Sequence, residues 1–102
     1  MAQWVFSPLA RTELQEILDY IAADSGSLAI ADQVAGDFEA ALGTLVASPD
    51  IGWRRDHLTG PGIRWWRVHS YLLVYDPASK PLRVIRILHG ARDLERLFRE
   101  KP

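Results

Sequence analysis

Three apolar segments in the second half of the chain follow one another with very short connections. They span residues 63–68, 71–75 and 82–88, and each is rich in β-branched or aromatic side chains, as strands are. The pair His69-Ser70 joins the first two, and a turn at residues 76–81 joins the second to the third. Because neither connection is long enough for the crossover helix that parallel neighbours require, we predict an antiparallel meander.

The first half of the chain has helical periodicity. After a short strand at residues 3–6, the pair Ser7-Pro8 is typical of a helix start, and Ser25-Gly26 is typical of a helix end. Ser27 is placed to cap a second amphipathic helix, which Ser48-Pro49 ends. Since the connection between the two helices is so short, we predict an antiparallel helical hairpin.

These elements predict an α+β fold for residues 1–102 as a single domain. The N-terminal helical hairpin packs on a small twisted antiparallel sheet, and a short C-terminal helix covers about residues 91–99. Cysteine is absent, and the three histidines are dispersed, so we expect neither a metal site nor a cofactor. No stretch approaches the ~18 apolar residues of a membrane span, and we expect a soluble cytoplasmic protein.

Charge is unevenly distributed, although the net charge is only −1. Residues 1–50 hold one basic residue against eight acidic ones, whereas residues 51–102 hold eleven basic residues against five acidic ones. Ten of the twelve basic residues are arginines, which favour bidentate contacts with carboxylate, phosphate or backbone groups. We predict a dipolar molecule with an acidic helical side and a basic working side, the alternative being that the two halves neutralise each other.

Six short segments, spread over nearly the whole chain, carry a family resemblance. They are Phe6-Ser7-Pro8-Leu9-Ala10, the helical run Glu13-Leu14 with Ile17-Leu18-Asp19-Tyr20-Ile21, Pro49-Asp50-Ile51-Gly52, Ile63-Arg64, Leu72-Leu73-Val74-Tyr75, and the closing run Arg86-Ile87-Leu88-His89-Gly90-Ala91-Arg92-Asp93. In this order and spacing the chain resembles the RelE/ParE toxin superfamily, and within it the ParE-like branch. The resemblance implies the toxin of a type II toxin–antitoxin pair, neutralised by a ParD-like antitoxin.

The two branches of this superfamily differ in chemistry. ParE-like members are understood to inhibit DNA gyrase, whereas RelE-like members cleave messenger RNA on the ribosome and need a cationic surface, a general base and a general acid. The isoelectric point here is about 6.3 and lysine occurs only at Lys80 and Lys101, which is unfavourable for binding ribosomal RNA. We therefore expect a non-catalytic gyrase inhibitor without direct nucleic-acid binding, and keep the ribonuclease as the alternative.

The resemblance also implies which residues contact the target of the toxin. By analogy with the closing motif, the target-binding residues are Arg64, Arg86, His89 and Arg92. In the ribonuclease alternative, His89 is the acid or base and the arginines at 64 and 86 stabilise charge. A histidine where a strand meets a helix also fits a purely structural role. A third hypothesis is a chain that binds its antitoxin but has no toxic activity.

We expect the antitoxin to bury apolar surface on the helical hairpin and at the sheet edge. Aromatic and arginine residues are also common anchors of protein interfaces. On this basis the predicted antitoxin-binding residues are Leu14 and Leu18 on the first helix and Trp65 and Trp66 in the sheet. The two tryptophans are adjacent, so one must point away from the other.

Overall fold

A computed structural model describes residues 3–90 and Asp93 of the chain. The elements, in chain order, are β1 (Trp4–Phe6), α1 (Pro8–Ser25), α2 (Leu28–Ala47), a 3-10 turn (Pro49–Ile51), β2 (Trp53–Arg54), α3 (Asp56–Thr59), β3 (Arg64–Val68), β4 (Tyr71–Asp76) and β5 (Leu82–His89). The predicted helix at residues 91–99 lies outside the described residues, apart from Asp93.

The ends of the two long helices follow from their capping residues. The Ser7 hydroxyl accepts from the Ala10 N–H at 3.0 Å, and the Ser27 hydroxyl accepts from the Ile30 N–H at 3.3 Å. Gly26 ends α1 in the left-handed region, with φ of 68°. The predicted helical hairpin is confirmed with these boundaries.

The sheet has five strands in the order β1-β5-β4-β3-β2. The β3, β4 and β5 strands form the predicted antiparallel meander, and the α+β class is confirmed. The sheet as a whole is mixed, however, because β1 pairs with β5 in parallel. The predicted antiparallel pairing is confirmed from β2 to β5, and only β1 departs from it. β1 reaches β5 through nearly the whole chain, so the rule that short connections give antiparallel neighbours does not apply to it.

Both faces of the sheet are covered. On the helical side, Phe38, Leu42 and Leu45 of α2 pack with residues of β4 and β5 such as Leu73 and Ile87. A second buried cluster is centred on Trp65 and includes the following residues: Leu72, Val74 and Leu88. Because β4 lies in the middle of the sheet and faces a core on each side, its residues 72–75 are all buried.

A register shift in the β4–β5 ladder changes the geometry of β5. Tyr75 pairs with Val84 and Val74 pairs with Arg86, so Ile85 is left unpaired as a bulge. A bulge re-aims the residues that follow it, here residues 86–89. Within the described part of the chain, no helix is long and apolar enough to cross a membrane.

Candidate functional site

Arg86, a predicted target-binding residue, is held by an acid on α1. Its Nε lies 3.2 and 3.1 Å from the two carboxylate oxygens of Glu13, and its Nη2 lies 2.9 Å from Glu13 Oε2. The side chain of Glu13 is 15% exposed and that of Arg86 is 37% exposed. This bidentate pair joins α1 to β5 and fixes the guanidinium in one orientation.

Sequence reasoning missed the role of Glu13. One signal was present, since Glu13 falls between Ala10 and Ile17 on the inward stripe of α1, where a carboxylate needs a partner. The identity of that partner depends on the packing of α1 against β5 and was not available from local patterns.

Arg64 is also engaged within the molecule. Its Nη1 donates to the carbonyl oxygen of Gly52 at 3.1 Å, and its Nη2 lies 4.0 Å from the exposed carboxylate of Asp50. The first contact ties β3 to the segment that follows the 3-10 turn. Arg64 therefore has a structural role in addition to any contact with a target.

His89 lies at the end of β5 against an aromatic ring. Its imidazole meets Tyr71 edge-to-face, with ring centroids 5.5 Å apart, and its backbone N–H donates to the Asp93 carboxylate. Within the described residues, its Nδ1 is buried and has no hydrogen-bond partner. These contacts match the structural role that a histidine at a strand end often has.

The structure does not gather the predicted target-binding residues into one catalytic arrangement. Strand β4 separates Arg64 from Arg86, which pair with Tyr75 and Val74 respectively. His89 is three residues beyond Arg86 on the same strand, about 10 Å along it. Arg92 lies outside the described residues. Among residues 3–90 and 93, no cluster of three or more His, Asp or Glu side chains could hold a metal ion.

The phenol of Tyr75 holds the segment after α2 against the sheet. Its hydroxyl donates to the Pro49 carbonyl at 2.6 Å and accepts from the Gly52 N–H at 3.1 Å. Burial raises the pKa of Tyr75 above its ordinary value, while the bond from Gly52 and the charge of Arg64 oppose the shift. The hydroxyl thus satisfies two backbone groups that would otherwise be unpaired.

Replacing Tyr75 by phenylalanine is expected to lower the free energy of unfolding by about 1–3 kcal/mol, because both backbone groups lose their partner. The raised pKa adds a pH dependence: the contribution is complete below the unfolded pKa of about 10 and is lost as the pH rises through the folded pKa. The difference between the two proteins should therefore shrink in alkaline solution. Urea denaturation across this pH range measures it, and Tyr20→Phe, at an exposed tyrosine, serves as the control that should change nothing.

The tryptophans differ in exposure. Trp65 is fully buried, its Nε1 donates to the Thr59 hydroxyl at 3.2 Å, and the guanidinium of Arg55 lies 5.4 Å from its ring centroid. The expectation that Trp65 contacts an antitoxin is therefore corrected, because its ring belongs to the second core. Trp66 is half-buried and stacks on Trp53 with ring centroids 5.9 Å apart.

Trp53, which sequence reasoning did not select, is the more accessible partner of this stack, at 49% exposure. On α1, Leu14 packs against the core and Leu18 is half-buried. Other large apolar side chains are more exposed on the hairpin: Leu9, Tyr20, Leu28 and Ile30. The accessible apolar surface therefore lies on the helical hairpin and at the β2 edge. Most of it belongs to residues other than the four predicted to bind the antitoxin.

The sequence from residue 5 to residue 94 matches the family described as the ParE toxin of the type II toxin–antitoxin system, parDE. The chain belongs to the ParE toxin family. This confirms the resemblance drawn from the sequence motifs, and it makes the chain a toxin of the type II class. The segments that carried the resemblance, from Phe6 to Asp93, lie within the matched range.

The fold agrees with that of a solved ParE-family system. The chain is similar to a structure titled "Chromosomal ParDE TA system from P. aeruginosa", with a TM-score of 0.69 and 18% sequence identity. The similarity covers 85% of this chain and 94% of the other. No curated protein matches this ParE-family chain significantly in sequence.

Proposed function

We propose that this ParE-family chain inhibits DNA gyrase by binding it, and that a ParD-like antitoxin neutralises it in the cytoplasm. The observation that carries the proposal is the family match over residues 5–94. Gyrase inhibition requires a binding surface and no chemistry on the toxin itself, so no cofactor enters the proposal. The target contacts proposed are Arg64, Arg86, His89 and Arg92.

The geometry favours gyrase over the ribonuclease alternative. An RNA-cleaving site needs a base, an acid and cations converging on one phosphate. Here the guanidinium of Arg86 is bonded to Glu13, and that of Arg64 is bonded to the Gly52 carbonyl. One nitrogen of His89 is buried against the protein. These constraints support an activity based on binding.

The distribution of charge supports a basic surface for macromolecular partners. The helical hairpin of residues 8–47 contains one basic residue, Arg11, and seven acidic ones. Several arginines lie on strands of the sheet, and three of them are exposed: Arg54, Arg67 and Arg83. Opposite charges on the two layers would orient the toxin toward an acidic surface of its target or antitoxin.

The antitoxin is proposed to cover apolar surface at two places. One is the helical hairpin, including Leu14 and Leu18 and their more exposed neighbours. The other is the stack of Trp66 and Trp53 at the β2 edge. Aromatic side chains that are partly exposed and rigidly stacked are typical anchors of protein interfaces.

Expression of the chain without its antitoxin, with DNA and protein synthesis followed separately by pulse labelling, tests the proposal. We expect DNA synthesis to stop first while translation continues, and co-expression of the antitoxin to restore DNA synthesis. Early arrest of translation would instead support the ribonuclease alternative, and His89→Gln would then be the next variant to examine. Unchanged growth would indicate a chain that only binds its antitoxin.

A further inference from the structure

The β5 strand extends beyond its parallel neighbour. β1 pairs with β5 only from Leu82 to Val84, so residues 85–89 continue past the end of β1. On that side, no other strand of the described chain pairs with them. An unpaired strand edge of this length is a template for another strand to add to.

Side chains bond three of the outward backbone groups of this edge. The Ser7 hydroxyl donates to the Ile85 carbonyl at 2.7 Å, and Glu13 Oε1 accepts from the Ile87 N–H at 2.9 Å. At the strand end, the carboxylate of Asp93 accepts from the His89 N–H. Residues 85, 87 and 89 are every second residue of the strand. A neighbouring strand on this side would pair with the backbone groups of every second residue.

Glu13 is the central member of this set. Its carboxylate reaches the edge from α1 and is held there by the two-point contact with Arg86, so it cannot turn toward solvent without breaking an ion pair. Its position over Ile87 also places it in the middle of the 85–89 segment. An incoming strand would have to displace it to form a continuous ladder.

We propose that the 85–89 edge of β5 is a self-association surface that Glu13 keeps closed, and that its occupant when open is the same edge of a second copy. Two identical edges related by a two-fold axis pair in antiparallel orientation, so no other complementary surface is required. The segment Ile85-Arg86-Ile87-Leu88 is rich in apolar and β-branched residues, which favours strand pairing. This inference is independent of the proposed action on gyrase.

The test compares two replacements of Glu13 by sedimentation velocity over a concentration series of the purified chain. Glu13→Met keeps the length and helix propensity of the side chain but removes the acceptor for the Ile87 N–H. Glu13→Gln is the matched control, because its amide oxygen still accepts that hydrogen bond. We expect Glu13→Met to self-associate at least about tenfold more strongly than the wild type and Glu13→Gln to remain like the wild type.

A second replacement identifies the surface. Ile85→Lys adds a charge to the open edge, and combined with Glu13→Met it is expected to restore the wild-type association state. A folded Glu13→Met protein that associates no more than the wild type would overturn the proposal. So would association that persists with Ile85→Lys.

Hydrogen exchange of the wild-type chain gives a test that does not depend on any variant folding. If Glu13 closes the edge, the Ile87 amide of the monomer exchanges slowly although no strand pairs with it. Exchange at the rate of an unprotected amide would contradict the proposal.

Discussion

Trp65→Ala is expected to lower the free energy of unfolding by about 3–5 kcal/mol, the range for truncating a buried tryptophan. The ring is fully buried among Leu72, Val74 and Leu88, and its removal leaves a cavity in the second core. It also leaves the Thr59 hydroxyl without its donor and Arg55 without the ring it lies over. Urea denaturation followed by circular dichroism measures the loss.

Trp53→Ala is the matched control, because Trp53 is half-exposed at the β2 edge. We expect its stability to stay within about 1 kcal/mol of the wild type. Its affinity for the antitoxin, measured by calorimetry, should instead fall by about tenfold or more, as for an aromatic anchor of an interface. Equal destabilisation by the two substitutions would contradict the assignment of one tryptophan to the core and the other to the surface.

Gly52→Ala is expected to lower the free energy of unfolding by about 3 kcal/mol, near the upper end of the range for overpacking a core. A Cβ at this position would lie 2.5 Å from the Tyr75 hydroxyl oxygen and 2.8 Å from the backbone oxygen of Trp65. The second atom belongs to a strand and cannot move aside cheaply. Relief of the clash would also break the bond from the Gly52 N–H to Tyr75.

Gly43→Ala should change the free energy of unfolding in the opposite direction. Gly43 is exposed in α2, and apart from the backbone of its own helix and its chain neighbours, a Cβ there would meet no described atom within 4 Å. Replacing a helical glycine by alanine is therefore expected to stabilise the protein by about 0.5–1 kcal/mol. Both variants can be compared by thermal and urea denaturation. A neutral Gly52→Ala would show that the segment after α2 is not fixed against Tyr75 as described.

The helices and the meander could be predicted because their signals are local. Ser7 and Ser27 occupy N-cap positions, and Gly26 takes a backbone conformation that suits glycine. The two connections within the meander are short enough to exclude a parallel crossover. Each of these inferences depends on a few consecutive residues.

The parallel pairing of β1 and the bulge at Ile85 could not be predicted in the same way. β1 and β5 are separated by most of the chain, so no turn or spacing connects them. The bulge is defined by which residues face each other across β4 and β5, which is a property of the ladder. No sequence pattern in β5 alone distinguishes it.

For the candidate site, the sequence indicated that the arginines favour contacts with carboxylate, phosphate or backbone groups, but not which groups they contact. Arg86 finds its partner on α1, 73 positions earlier in the chain, and Arg64 finds a backbone carbonyl. Alternation correctly placed Trp65 and Trp66 on opposite faces of β3. It could not show which ring is exposed, because both faces of the sheet are covered.

Supercoiling of relaxed plasmid DNA by purified gyrase, with and without this chain, is the most direct test of the proposed function. We predict that an excess of the folded chain inhibits supercoiling and that addition of the antitoxin restores it. The control is Trp65→Ala, which destabilises the fold but leaves the residues proposed to contact gyrase unchanged. Gyrase that keeps its full activity at excess toxin, in a preparation confirmed to be folded, would contradict the account.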